Sequence, residues 1–198
     1  MSDPPATQAI DWDKRYRDGA TGWERPGLNP SFVTWRETGV LTPCRILVPG
    51  AGRSPEPLAL AEAGFDVTLV DLSSTAIATQ RARLERLHVK AHVAQADILQ
   101  WNPPAPFDAI YDQACLCALP PAIWPDYAER VHRWLRPGGA LYILFMQSTR
   151  AGGPPYHCDM DAMRDLFPAS AWTWPDTLPA VVDHSPGLAE QSAVLRSR

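Results

Sequence analysis

The chain has 198 residues, 45% hydrophobic and 20% charged, which fits a single folded domain and excludes global disorder. Its formal charge of −4, from 18 Lys and Arg against 22 Asp and Glu, leaves no basic footprint for a nucleic-acid binder. No apolar run is long enough for a membrane span and the opening MSDPPATQAIDWDKRYRDG has no secretory core segment, so a cytoplasmic protein is expected, with a monomer as the default.

Residues 1–40 read as an N-terminal arm carrying Trp12, Tyr16 and Trp23. Within it, Ser31 is placed to cap a short helix that Gly39 ends, with Phe32 and Trp35 aboard. Residues 45–49, RILVP, lie between Pro43 and Gly50 and read as a buried strand. Gly50-Ala51-Gly52-Arg53 is a turn. Ser54 then caps a helix with Pro55 at its first position, and Gly64 ends it. A second buried strand, 65–70, runs up to Asp71. Ser73 or Ser74 caps the next helix, which reaches about Leu87. A third strand, 89–95, ends near Asp97, and a fourth spans 107–111. Ile123, Trp124, Tyr127, Val131, Trp134 and Leu135 follow at helical spacing. Arg136-Pro137-Gly138-Gly139 closes that helix and ALYILF is a fifth strand. The proline-rich remainder holds two edge strands.

Strands alternating with helices predict an α/β fold, a doubly wound, mostly parallel seven-stranded sheet over residues 41–198, in one domain over 1–198. Such sheets bind ligands beyond the carboxyl ends of their strands. Gly50 and Gly52 follow the first strand, and glycine there lets the backbone approach a ligand closely. Asp71 follows the second strand, 21 residues beyond Gly50, where an acid serves ribose hydroxyls. Asp97 and Ile98 follow the third and Asp112 the fourth. Together they describe a nucleoside pocket. A dinucleotide fingerprint would have a third glycine where Pro55 stands, and Glu56 beside it would repel a pyrophosphate. S-adenosylmethionine, with a zwitterionic amino acid in place of phosphates, fits better than NAD.

No metal site is expected. Cys115 and Cys117 form a lone C-x-C, Cys44 and Cys158 stand apart, and His88, His92, His132, His157 and His184 do not bracket them. Four reduced, mostly buried thiols are the simpler reading.

The segments VPGAG, VTLVDLS, AQADI, FDAIYDQACLCALPP and WLRPGGALYILF follow the order of a class I S-adenosylmethionine-dependent methyltransferase, a Rossmann-like fold. DWDKRYRDGATGWERPGLNPSFVTW and GGPPYHCDMDAMRDLF resemble the thiopurine S-methyltransferase superfamily, closest to its thiol and halide methyltransferase branch. The resemblance runs from about Trp12 to about Phe167. It implies an N-terminal helical lid with Trp12, Tyr16 and Trp23 over the cofactor, Tyr16 standing where relatives often have Trp. It puts Gly50 at the cofactor's amino-acid end, Asp71 at the ribose, Asp97 and Ile98 at the adenine, and Asp112 on the methionine and substrate side, with Gly52 and Leu72 also among the cofactor-binding residues. Gln113, Cys115 and Tyr156 are implied substrate-side residues. The residues after the turn, Arg53 to Pro57, depart from the relatives' pattern.

The implied reaction moves a methyl group to a small soft nucleophile: a thiol, thiopurine, sulfide or halide. In-line positioning in a dry pocket can supply about 7–11 kcal/mol, and a soft anion needs no strong base. Aromatic side chains facing a sulfonium add up to ~2 kcal/mol. His157 reads as an exposed loop histidine, so no catalytic base is named. A small-molecule O- or N-methyltransferase and a non-catalytic S-adenosylmethionine-binding module are the competing readings, because fold does not fix the acceptor. An RNA methyltransferase is disfavoured by the acidic charge.

Overall fold

The computed structural model describes residues 10–198; the first nine residues of the expected arm lie outside that range. In chain order the elements are α1 (Trp12–Arg17), α2 (Pro30–Glu37), β1 (Arg45–Pro49), α3 (Glu56–Glu62), β2 (Asp66–Asp71), α4 (Ser74–Arg86), β3 (His92–Gln95), β4 (Phe107–Asp112), α5 (Cys115–Ala118), α6 (Trp124–Trp134), β5 (Leu135–Ser148), α7 (Met160–Leu166), β6 (Trp172–Thr173), β7 (Val182–Ser185) and β8 (Leu188–Ser197).

The strands form one sheet in the order β3-β2-β1-β4-β5-β8-β6, with β7 pairing β8 as an eighth strand. The first five along this path are parallel; β8 runs antiparallel to β5, and β6 and β7 antiparallel to β8. Strand periodicity divides the core between the two faces. Leu47, Ile110, Leu141, Ile143 and Phe145 pack against α5, α6 and α7 on one face. Ile46, Val48, Ala109, Tyr111, Tyr142 and Leu144 pack against α2, α3 and α4 on the other. Phe32 and Trp35 sit in this second layer, Trp35 edge-on to Tyr142 at 5.2 Å and Phe32 edge-on to Tyr111 at 5.4 Å. They are core residues.

Several local expectations are corrected. Asn29, not Ser31, caps α2: its side chain accepts from the Ser31 N–H and Pro30 takes the first helical position. Pro55, not Ser54, stands at the N-cap of α3, without a side-chain cap bond. Of the two caps expected for α4, Ser73 is the one used, accepting from the Ala76 N–H. Arg136–Gly139 is not a turn before a strand but a bulge within β5. Phe107 pairs Leu135 and Ala109 pairs Ala140, so β5 advances five residues while β4 advances two, and Gly138 takes φ +75°. The late segment holds three strands rather than two at an edge. β8 is interior because it pairs β5 along all of Ala140–Ser148 on one side and β6 and β7 on the other, with Leu188, Ala193 and Leu195 buried. Among the described residues no helix is long and apolar enough to cross a membrane.

Candidate functional site

The carboxyl ends of β1, β2 and β4 and the segment after β3 open onto a cavity of about 500 Å³, walled on its far side by the arm. Its floor is the turn after β1. Gly50 and Gly52 have φ +54° and +52°, backbone that L side chains rarely adopt. A Cβ on Gly50 would lie 3.0 Å from Cys115 Sγ, and one on Gly52 would overlap the Tyr16 hydroxyl. Glycine is therefore required twice, by conformation and by space.

Asp71 knits this turn to the next. Its Oδ2 accepts from the Gly52 N–H at 2.7 Å and its Oδ1 from the Ser73 N–H at 2.8 Å. Burial raises its pKa, opposed by these backbone donors. A carboxylate has about four lone-pair sites, so each oxygen can still accept from a ligand hydroxyl. Leu72, half exposed, lines the cavity beside it, and Asp97 and Ile98 line it after β3.

The arm is fastened at both ends. Asp13 of α1 accepts from Ser73 Oγ at 2.7 Å, Ser74 Oγ at 3.1 Å and Thr75 N–H at 2.8 Å, so it caps α4 from outside that helix. These donors hold its carboxyl far below the usual range. Trp23 meets Trp12 and Tyr16 edge-on at 5.6 and 5.7 Å. Arginines already stand over these rings: Arg15 at 5.7 Å from Trp12 and 5.8 Å from Trp23, Arg53 at 5.0 Å from Tyr16. Arg53 also grips Glu24 at 2.6 and 2.7 Å. The cluster is thus an organised cover, with cation–π contacts of its own.

Among the sequence-derived candidates, Trp12, Tyr16, Trp23, Gly50, Gly52, Asp71, Leu72, Asp97, Ile98, Gln113 and Cys115 are brought together on this one cavity. Gln113 accepts from the Tyr111 hydroxyl at 3.1 Å through Oε1, which leaves its amide N–H groups available. Asp112 does not line the cavity. It is 1% exposed, accepts from Cys115 N–H at 2.9 Å, Leu116 N–H at 3.4 Å and Tyr127 Oη–H at 2.7 Å, and burial pushes its carboxyl up to about 6. These bonds hold the start of α5 behind the cavity wall. Tyr156 also stays off the cavity wall, packed against the core; its N–H donates to the Cys117 carbonyl at 2.7 Å, and its neighbours Pro154 and Pro155 reach the cavity instead. His157 is exposed and accepts from the Ser148 N–H through Nδ1. Glu56 is fully buried and turned away, accepting from the Asn29 N–H at 2.8 Å. The expectation that its charge would face a phosphate is therefore overturned; Pro55, on the cavity wall, is the residue that departs from a dinucleotide turn.

Sequence reading missed Arg25, His184 and Glu190, which line the end of the cavity opposite β3. Arg25 Nη2 donates to Glu190 Oε2 at 2.7 Å and to the Asp183 carbonyl at 3.0 Å. Asn29 Nδ2 donates to the same Glu190 oxygen at 2.7 Å. His184 Nε2 lies 2.9 Å from the Trp23 carbonyl; a carbonyl only accepts, so this nitrogen carries the proton. The one available signal was an acid at position 190, beside Gln191, in a strand whose other residues in LAEQSAVL are apolar or small.

Comparison with known proteins gives matches to a family profile, to relatives and to solved structures. The family profile "Thiopurine S-methyltransferase (TPMT)" matches residues 7–180. A "Probable thiol methyltransferase 2" of Arabidopsis thaliana is 34% identical over 148 residues, 73% of this chain and 66% of the relative, just under two thirds of its length. A "Thiopurine S-methyltransferase" of Pseudomonas fluorescens is 32% identical over 180 residues, 82% of each chain. Among solved structures, a Burkholderia thailandensis 1,6-didemethyltoxoflavin-N1-methyltransferase with bound S-adenosylhomocysteine superposes with a TM-score of 0.74 at 23% identity, covering 93% of this chain and 84% of the other. A magnesium protoporphyrin IX methyltransferase from Synechocystis, also with bound S-adenosylhomocysteine, gives 0.73 at 13% identity over 93% and 95%. At these identities the likeness is one of fold.

Proposed function

The chain belongs to the thiopurine S-methyltransferase family, whose cofactor is S-adenosylmethionine, and on that premise we propose that it transfers a methyl group to a small sulfur nucleophile. The observation that carries this reading is the glycine floor joined to Asp71 beneath an aromatic cover: Gly50 and Gly52 leave space only backbone can line, and Asp71 keeps lone pairs for hydroxyl donors. When bound, S-adenosylmethionine supplies an electrophilic methyl group on a sulfonium whose departure leaves a neutral thioether.

The chain's own residues do the rest. We assign Asp71 to the ribose hydroxyls, Leu72, Asp97 and Ile98 to the adenine, and the Gly50–Gly52 backbone to the amino-acid end. Trp12, Tyr16 and Trp23 exclude water from above. Gln113 and Cys115 border the acceptor, Tyr156 sets the course of the Pro154–Pro155 wall, and Asp112 holds α5 in register with that wall. The acceptor itself we take to be a thiol, thiopurine or sulfide, with halides an extension of the same soft chemistry. A cytoplasmic monomer completes the proposal. It is supported by four free thiols and by exposed large apolar residues that are scattered along the chain, at Leu28, Val40, Leu72, Leu87 and Val181.

The test is calorimetric titration with S-adenosylhomocysteine and separately with NAD, followed by an acceptor screen of thiols, sulfide and iodide. Micromolar binding of the first alone, with methylation of a sulfur acceptor, is expected. Failure to bind S-adenosylhomocysteine overturns the cofactor assignment, and binding with turnover only on oxygen or nitrogen acceptors overturns the acceptor class.

A further inference from the structure

The geometry points to Glu190 as the residue that meets the acceptor and takes its proton, so that this site selects a neutral thiol over a preformed anion. This rests on the cofactor and acceptor reading above. It begins from position along the sheet. From β3 through β2 and β1 to β4 is three strand spacings, about 14 Å, and β5 and β8 add about 10 Å more. The nucleoside-type residues Asp97, Asp71 and Gly50 occupy the β3-to-β1 end. Met146 of β5 and Glu190 of β8 pair across the two far strands and both line the same cavity. What lies beyond β4 is left for the acceptor.

Glu190 is 1% exposed, and a carboxylate in that position is costly unless it is paired. Arg25 and Asn29 both donate to a single oxygen, Oε2. Among the described residues nothing donates to Oε1. Nor is Oε1 one of the sealed, unpartnered polar atoms, which include Arg25 Nε, Glu56 Oε2 and His184 Nδ1. The residual exposure of Glu190 is therefore toward the cavity, with one oxygen held from behind and the other presented. The groups around it are Arg25 and Asn29 from the arm, Glu56 from α3, Tyr111 from β4, Cys117 from α5 and His184 from β7. Its single cation, Arg25, is matched by Glu190 itself, and Arg53 is matched by Glu24. That end of the cavity thus offers an anionic acceptor no unpaired positive charge, and offers a hydrogen-bearing sulfur an acceptor oxygen.

The step balances. The thiol sulfur uses a lone pair to bond the methyl carbon. The methyl–sulfonium bond breaks with its pair going to the cofactor's sulfur, and the S–H proton passes to Glu190 Oε1, from which water later removes it. Iodide and thiocyanate, which carry no proton, gain nothing from this residue.

Glu190→Gln keeps the shape and an oxygen for Asn29 but cannot take the proton. With 2-mercaptoethanol and iodide as paired acceptors, the variant should lower the thiol-to-iodide ratio of kcat/KM at neutral pH by tenfold or more. The ratio should recover as the pH rises past the thiol's own ionisation, about 8.5 or above, where solution supplies the thiolate. Equal loss on both acceptors, or no loss on either, overturns the proposal and leaves Glu190 as a tether for the arm. A second measurement needs no variant: the wild-type protein saturated with S-adenosylhomocysteine is titrated with 2-mercaptoethanol in phosphate and in Tris. Equal heats mean the thiol binds without releasing a proton to buffer, as expected. Heats differing by one proton's ionisation enthalpy overturn it. A protein that binds S-adenosylhomocysteine yet methylates no sulfur acceptor would instead sink the proposed function, and this inference with it.

Discussion

Asp71 has two employments, and its replacement should reveal both. Asp71→Ala removes the acceptor for ligand hydroxyls and also orphans the Gly52 and Ser73 N–H groups. Affinity for S-adenosylhomocysteine should fall at least tenfold by calorimetry, with a stability loss of about 1–3 kcal/mol in urea titration from the unpaired donors. Unchanged affinity would remove Asp71 from the ligand. Asp112 makes the opposite case. Its carboxyl is pushed from 3.8 up to about 6 by burial, so the folded state holds the proton more tightly than the unfolded chain. The stability it contributes is complete below about pH 4 and is lost as the pH rises through 6, an amount on the order of 3 kcal/mol. Comparing urea midpoints of wild type and Asp112→Asn from pH 4 to 7 should show this decline only in the wild type; parallel curves would refute it. The two aspartates looked alike in the sequence because each ends a buried strand. What separates them is the direction of the side chain. Asp71 turns to the glycine loop 19 residues earlier, and Asp112 turns inward to cap α5, a four-residue helix with no periodicity to announce it.

At the scale of elements, α1 is held by a borrowed cap. Its Asp13 satisfies donors at the start of α4 that would otherwise face water. The contact joins the arm to the β2–α4 corner beside Asp71, so Asp13→Ala should loosen the arm without unfolding the sheet. Limited proteolysis should cut within residues 10–30 several-fold faster in the variant, and S-adenosylhomocysteine should dissociate faster in stopped flow. An unchanged cutting rate would show that the aromatic contacts alone hold the arm. Strands β1, β2 and β4 were legible because each is a short, largely apolar run that meets glycine, proline or aspartate at its ends, and α4 because Ser73 and Leu87 bracket it. Three elements were not. The bulge at Arg136–Gly139 reads as a turn because Pro-Gly-Gly is turn chemistry, yet pairing with β4 resumes on both sides of it. The cap of α2 belongs to Asn29 because Pro30 is pre-set for the first helical position, which outranks Ser31. β8 carries Glu190 and Gln191 as its third and fourth residues and so lacks the clean alternation of a buried strand. Its polar residues are tolerated because Arg25 and Asn29, more than 160 residues away in sequence, meet one of them, a pairing that no local pattern contains.

For the whole molecule the cavity is a joint, since the arm, the β1–β4 loops and the β7–β8 pair each contribute a wall. The arm is tied to these walls separately: by Asp13 to α4, by Glu24 to Arg53, and by Arg25 and the Trp23 carbonyl to the far strands. A ligand filling the cavity touches every wall at once, so its binding energy should appear as cohesion of the arm with the sheet. At a hundredfold excess over its dissociation constant a single-site ligand stabilises by about 2.7 kcal/mol, which for a domain of this size corresponds to a rise in Tm of roughly 5–10 °C. S-adenosylhomocysteine should produce that rise, and NAD at the same concentration should not. Hydrogen exchange distinguishes a cover from a passive neighbour. If the arm is a cover, amides of residues 12–29 should slow together with those of the 50–54 turn when S-adenosylhomocysteine binds. If the turn slows and the arm does not, Trp12, Tyr16 and Trp23 are surface packing, and the dry pocket that methyl transfer requires must be closed by the acceptor itself.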